Sequence, residues 1–361
     1  MIEKKQIEQL LTTHIDPYLG VDLVKAGVVK ELSVEKGHVR LELLFGFPTA
    51  VYESVLKQRL VELIGPLAGV DSVDIRVSSR IIAHAVQKTA SHLSSVKNII
   101  AVASGKGGVG KSTVAANLAL ALQAEGASVG VLDADIYGPS QARMLGMSGK
   151  PELTEERKLA PKRPYGMQAM SIGLLIEEDT AMIWRGPMVT QALQQLLNDT
   201  QWMDIDYLII DLPPGTGDVQ LTLSQQIPVA GAVIVTTPQD IALLDARRAV
   251  KMFEKVQVPV LGVVENMSVH VCSECGHAER IFGEGGGARM AQEYGIDLLG
   301  ELPLDISIRE QLDAGAPSVV SDPDGNVAMV FYEIARKVAA RLSLRGKDYS
   351  GVFPKIVVEN D

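Results

Sequence analysis

Chemistry-bearing residue types cluster in a few places, and the densest is Gly105-Lys106-Gly107-Gly108-Val109-Gly110-Lys111-Ser112, which reads G-x-x-x-x-G-K-S. The apolar run Ile99 to Ala103 precedes it, and Thr113 to Gln123 repeats apolar side chains at helical spacing, so the glycines are expected between a buried strand and a helix. Glycine lets the backbone turn tightly with its N–H groups aimed inward, and a helix N-terminus adds partial positive charge. In such a cradle Lys111 reaches the outer phosphates of a nucleotide and the Ser112 hydroxyl holds magnesium. Chance matches to this pattern arise on the order of once per hundred chains of this length, and the strand-before, helix-after context lowers that rate.

Carboxylates stand at two further strand ends. Val129 to Leu132 leads into Asp133-Ala134-Asp135, and Tyr207 to Ile210 leads into Asp211, followed by Leu212-Pro213-Pro214-Gly215-Thr216-Gly217. The second is a Walker-B pattern, in which the strand-tip acid orients magnesium-bound water and the glycine-rich turn senses a γ-phosphate. Asn266, in Glu265-Asn266-Met267, follows another apolar strand at a position where an amide can read adenine. No N-K-x-D guanine signature occurs, so ATP is expected rather than GTP. The nucleotide-binding set is thus Gly105, Lys106, Gly107, Gly108, Val109, Gly110, Lys111, Ser112, Thr113, Asp211 and Asn266, with Ser112 and Asp211 serving magnesium. The two cysteines, Cys272 and Cys275, are too few for a disulfide framework, and their spacing points to metal or redox chemistry.

The elements that must position these groups alternate β and α. Strands are expected at 99–103, 129–135, 207–211, 232–235 and 260–264, with helices over 188–197 and 241–253, which implies α/β architecture: a doubly wound, mainly parallel sheet with ligands at the carboxyl ends of its strands. A C-terminal helix over 327–342 carries Val327, Val330, Phe331, Ile334, Val338 and Leu342 on one stripe, with Arg336, Lys337 and Arg341 elsewhere. Packing on the sheet is favoured over a membrane-surface role because the helix carries no tryptophan. Ahead of the sheet, a small α+β unit is expected over 1–80: a short helix bearing Ile2, Ile7, Leu10 and Leu11, a hairpin turning at Glu35-Lys36-Gly37, a helix over 50–64, and an alternating strand at Val73, Ile75 and Val77. A linker over 81–97, an ATPase domain over 98–345 and a tail over 346–361 complete the division. His14, His38, His84 and His92 lack partners at ligand spacing and read as surface or packing residues.

Composition bounds the rest. A chain of 361 residues with 47% hydrophobic but 4% aromatic residues suits a Val/Ile/Ala/Gly-rich α/β protein of about two domains. The formal net charge is -10, and positive and negative residues balance over residues 1–88, so the acidity lies downstream and a broad nucleic-acid surface is not expected. No leader-like start and no run of about eighteen apolar residues occurs, and a cytoplasmic location without membrane attachment is expected.

With its extra Lys106, the phosphate loop resembles the deviant P-loop of dimerising ATPases that include plasmid-partition and division-site proteins, arsenite pumps and nitrogenase iron protein. Asp133-Ala134-Asp135-Ile136-Tyr137-Gly138-Pro139-Ser140, Trp184-Arg185-Gly186-Pro187-Met188, Pro213-Pro214-Gly215-Thr216-Gly217-Asp218 and Glu265-Asn266-Met267-Ser268, followed by the two cysteines, narrow the resemblance to the Mrp/ApbC iron–sulfur cluster carriers, over about Val96 to Leu342. The N-terminal unit resembles the small domain of cytosolic iron–sulfur assembly factors, without the cysteine of stand-alone members, and an adaptor role is expected for it.

The resemblance implies a slow, partner-stimulated ATPase that binds a [4Fe-4S] cluster at a homodimer interface and passes it from a scaffold donor to apoprotein acceptors. By the same resemblance Lys106 reaches the partner's nucleotide, Lys111 holds the β and γ phosphates, and Asp135 positions the attacking water. Two cysteines cannot fill four thiolate positions, but two chains related by a two-fold axis supply Cys272 and Cys275 twice. A zinc site using His270 and His277, a thiol–disulfide pair and an inert thiol pair remain alternatives, zinc being the strongest, in a positioning ATPase of the partition or division-site type. A metabolite ligase or transferase would show a substrate-pocket motif, and none is found.

Overall fold

The computed structural model describes residues 2–84, 86, 93–175, 186–272 and 274–346. His92, Ser91, much of the expected linker, Trp184, Arg185 and nearly all of the tail lie outside them.

The N-terminal unit runs α1 (Lys4–Leu11), β1 (Val29–Glu35), β2 (His38–Phe45), α2 (Tyr52–Ile64) and β3 (Ser72–Ser79). Lys36 and Gly37 both take positive φ, 46° and 84°, the two-residue turn whose twist matches an antiparallel hairpin. Strand β2 pairs antiparallel with β1 and parallel with β3, and α2 makes the crossover, burying Leu56, Leu60 and Ile64.

The larger unit continues β4 (Val96–Ser104), α3 (Lys111–Ala124), β5 (Val129–Asp133), α4 (Gln141–Met144), β6 (Gln168–Ser171), α5 (Gly186–Asp199), β7 (Ile205–Asp211), α6 (Asp218–Gln226), β8 (Val229–Thr236), α7 (Asp240–Lys255) and β9 (Val260–Glu265). A miniature hairpin follows, β10 (His270–Val271) and β11 (Ala278–Glu279), then α8 (Gly286–Tyr294), β12 (Leu298–Glu301), α9 (Ile306–Asp313), α10 (Ser318–Ser321) and α11 (Asn326–Ser343). The main sheet has seven strands in the order β12-β9-β8-β4-β7-β5-β6, and every pairing is parallel. Helices cover both faces: α3 and α11 share one core, while α5 and α7 bury side chains in the other.

The five apolar runs are strands, and the doubly wound reading holds. Two strands carry no run long enough to announce them: β6 and β12 are the sheet's edges, four residues each, with polar Gln168 and Ser171 in β6 and Gly300 and Glu301 in β12. Val96 and Lys97, expected in the linker, open β4, and Asn98 fastens the preceding segment by donating to the Ile82 carbonyl at 2.9 Å.

Helix α11 packs on α3, β9 and β12, as its apolar stripe predicts. One of its basic residues departs from expectation: Arg336 is buried, ion-paired to Glu125 at the end of α3. Glu125 also accepts N–H bonds from Val51 and Tyr52 at the start of α2, so the N-terminal unit is bonded to the far end of the helix that begins at the phosphate loop. Among the described residues no helix is long and apolar enough to cross a membrane.

Candidate functional site

The phosphate loop joins the carboxyl end of β4 to α3. Gly108 and Gly110 take positive φ, 80° and 85°, which disfavours any side chain. A Cβ on Gly110 would also lie 2.1 Å from the Asn266 amide nitrogen, and one on Gly105 would meet the Asp245 backbone. Crowding against backbone requires glycine at 105, and the left-handed φ favours it at 110. Val109 is the loop's anchor, buried in the core, and its carbonyl accepts from Asn266 Nδ2 at 2.9 Å.

Lys111 is the first residue of α3, and its ammonium lies between Asp211, with which it forms a short ion pair, and Asp135, 3.5 Å away. It is 3.3 Å from the Ser112 hydroxyl. Lys111 is 5% exposed, because the tips of β5 and β7 close over the start of α3. Lys106 stays half-exposed on the loop's outer rim, and Gly107 and Gly108 are exposed.

Asp133 and Asp211 are register partners on β5 and β7, both fully buried. Burial, and then the charge of Asp211, pushes the Asp133 carboxyl up to about 7. It accepts N–H bonds from Asp135, Ser140 and Gln141 and the Ser171 hydroxyl, which fix the loop after β5. Burial also raises Asp135, against the opposing pull of Lys111, and one of its oxygens, Oδ1, is buried without a hydrogen-bond partner. Ser112, Asp135 and Asp211, hard oxygen donors around an unpaired carboxylate oxygen, fit a magnesium–nucleotide complex.

Two contributors have no sequence signal that separates them from ordinary residues. Gln141, completely buried, donates from Nε2 to the Ser112 carbonyl and to Asp211 Oδ2, each at 2.9 Å. A cleft of about 210 Å³ beside the loop is walled by Gly110, Asn266, Met267, Pro303, Leu304 and Ile308. Its mostly apolar wall comes from the segment after β12, a strand too short to be read in advance. A larger cleft, about 490 Å³ between α5 and α6, includes no residue of the phosphate loop.

Asn266 stands six positions before Cys272 on one segment, which bends at Met267, where φ is 58°. That segment is bonded to 302–304: Ser268 N–H donates to the Leu302 carbonyl, and Leu304 N–H to the Val269 carbonyl. The cysteines sit on the β10–β11 hairpin, Cys272 half-buried and Cys275 exposed. Backbone N–H groups of Cys275 and Glu274 donate to the Cys272 sulfur and, with the Cys275 side chain, lower its thiol. His270 directs Nδ1 to the Leu304 carbonyl at 3.1 Å. Among the described residues no three His, Cys, Asp or Glu side chains converge to hold a metal ion, so His270, Cys272, Cys275 and His277 are not gathered into one site.

A seven-stranded parallel sheet with the glycine loop after its central strand and buried acids at the tips of the next two strands on one side, β7 and β5, defines a P-loop NTPase of the partition and division-site architecture. The chain belongs to the family described as NUBPL iron-transfer P-loop NTPases, which matches residues 95–339; residues 4–77 match a second family, iron–sulfur cluster assembly protein. It is 50% identical over 347 residues to an iron–sulfur cluster carrier protein of Haemophilus influenzae, covering 95% of this chain and 93% of that protein. It is 52% identical over 249 residues to the mouse iron–sulfur cluster transfer protein NUBPL, covering 68% and 78%. Among solved structures, a nucleotide-binding protein of Archaeoglobus fulgidus in complex with ADP is 38% identical with a TM-score of 0.57, covering 64% of this chain and 91% of that one. The cell-division ATPase MinD of Pyrococcus furiosus, at 24% identity and TM-score 0.52 over 67% and 98%, shares the fold.

Proposed function

We propose that this protein binds ATP with magnesium at the loop of Gly105 to Thr113, hydrolyses it slowly, and carries a [4Fe-4S] cluster between two copies through Cys272 and Cys275, taking it from a scaffold and delivering it to apoproteins in the cytoplasm. The observation that carries this reading is continuity: Asn266, bonded to the phosphate loop, and the cysteine hairpin lie on one hydrogen-bonded segment, so the two sites share a backbone.

In this reading the loop's N–H groups and Lys111 receive the phosphates. The Ser112 hydroxyl and Asp211 hold magnesium, which when bound neutralises phosphate charge as it accumulates in phosphoryl transfer. Lys111 leaves its carboxylates for the phosphates, which frees Asp135 to orient the attacking water. Lys106, on the rim, reaches the nucleotide of the second copy and plays the part of a cation supplied in trans. Asn266 and the cleft by Pro303 take the base; the Asn266 amide uses its oxygen on Met267 N–H and one N–H on Val109, keeping one N–H for adenine. The N-terminal unit, bonded to the end of α3, serves as a fixed adaptor for donor or acceptor proteins.

The test is anaerobic purification with iron, sulfide and phosphate-release assays. Brown protein with about four irons per two chains, and phosphate release that requires magnesium, is expected. Colourless protein with about one zinc per chain would replace the cluster with the single-chain zinc alternative.

A further inference from the structure

The loop after β5 delivers a fully buried glutamine into the nucleotide site, and no part of the reading above uses it. Both acceptors of Gln141 Nε2, the Ser112 carbonyl and Asp211 Oδ2 at 2.9 Å each, accept only, so the amide must present its NH₂ to them and its orientation is fixed. Its backbone N–H is held by Asp133, which sets where the side chain enters. Gln141 Oε1 is buried without a hydrogen-bond partner.

We propose that Gln141 is a positioning residue for the magnesium site, clamping the Asp211 carboxylate to the phosphate-loop backbone so that Asp211 keeps one orientation when Lys111 leaves it. The inference rests on the nucleotide reading of this site. Asp135 and Asp211 share a single buried cation, Lys111, and the buried Asp133 is the register partner of Asp211. When Lys111 turns to phosphate, Asp211 loses a partner, and a carboxylate with free rotation divides its time between orientations. A neutral amide donor holds one oxygen without adding positive charge that would compete with a divalent cation; lysine in its place would neutralise Asp211, and glutamate would repel it. The same amide bonds the carbonyl of Ser112, whose hydroxyl is the other protein ligand, so one side chain sets the spacing of both ligands.

The test uses the full chain, with Gln141→Met as a near-isosteric variant without donors and Gln141→Asn as an amide too short to reach both acceptors. ATP binding is titrated with EDTA and with magnesium, and phosphate release is measured against magnesium concentration. In both variants the magnesium half-saturation point is expected to rise, and saturated turnover to fall, by about tenfold or more, the scale for groups that orient metal ligands, with metal-free ATP binding nearly unchanged. An unchanged magnesium midpoint in both variants overturns the proposal. Equal loss of ATP binding with and without magnesium also overturns it, by reducing Gln141 to support of the fold. A wild-type chain that binds no ATP overturns the nucleotide reading and this inference with it, whereas wild-type turnover matched by both variants removes this inference alone.

Discussion

Arg336 of the last helix and Glu125 at the end of the phosphate-loop helix are ion-paired at 2.5 Å in an interior that leaves their side chains 7% and 0% exposed. Arg336 also donates to the Tyr18 hydroxyl at 2.9 Å and lies against the rings of Tyr18, Tyr52 and Tyr332. Tyr52 in turn donates to buried Asp16. This network joins three parts of the chain that sequence reading treats separately.

Glu125→Ala is expected to destabilise the protein by about 3–5 kcal/mol, because it strands a buried guanidinium and uncaps the N–H groups of Val51 and Tyr52. Urea unfolding measures it, and limited proteolysis should show cleavage between the N-terminal unit and the ATPase domain. Loss of less than about 1 kcal/mol, the scale of an exposed pair, would mean that the network does not fasten the unit.

Lys111→Ala is expected to abolish phosphate release and to lower the stability of the nucleotide-free protein, since it leaves Asp211 and Asp135 without their cation. Asp135→Asn keeps the lysine and the loop, so ATP binding should persist while turnover falls by about a hundredfold or more, the range for a group acting on the attacking water. Titration and phosphate release separate the two; normal turnover in Asp135→Asn removes that residue from the mechanism.

Much of this site was legible because its local rules are strong. The glycines of the phosphate loop, the acids at the tips of β5 and β7 and the apolar runs of the central strands are fixed by neighbours in sequence. The edge strands β6 and β12 were not, because an edge needs neither length nor continuous apolarity. The burial of Lys111 and Arg336 was hidden for a different reason. A charged side chain reads as exposed until its partner is known, and their partners lie 100 and 211 positions away. Gln141 was invisible on the same grounds, since nothing local distinguishes a buried amide from a solvated one on a short helix.

Glu265 gives a pH signature. It is fully buried at the tip of β9, accepts from Gly287 N–H, leaves its other oxygen without a partner and faces Glu301 on β12. Burial, and then the neighbouring Glu301, raises its carboxyl above the ordinary value of 4.5, against the pull of the Gly287 N–H. The folded chain therefore holds a proton that the unfolded chain has released, and its contribution to stability is lost as pH rises above that value. Glu265→Gln keeps an acceptor for Gly287 and removes the titration. Its denaturation midpoint should fall less steeply with rising pH than that of the wild type; parallel curves would show that Glu265 is ionised throughout.

The last prediction concerns thiol count and assembly together. One chain offers Cys272 and Cys275, its hairpin gathers no third metal-binding side chain among the described residues, and a four-iron cluster takes four thiolates. A second copy related by a two-fold axis supplies the missing pair. Reconstituted under anaerobic conditions, the protein should elute as a dimer whose brown absorbance and iron co-migrate, and chelation of the iron should return cluster-dependent dimers to monomers. Cys272→Ala and Cys275→Ala should each lose the colour and that dimer, yet bind ATP as the unmodified chain does, because the phosphate loop is held by Asn266 and Val109 and not by the thiols. Replacing His270 or His277 should leave the iron content unchanged. A monomer that keeps its metal, or loses it only on replacement of a histidine, would locate the metal within one chain and remove the interface from the cluster's chemistry.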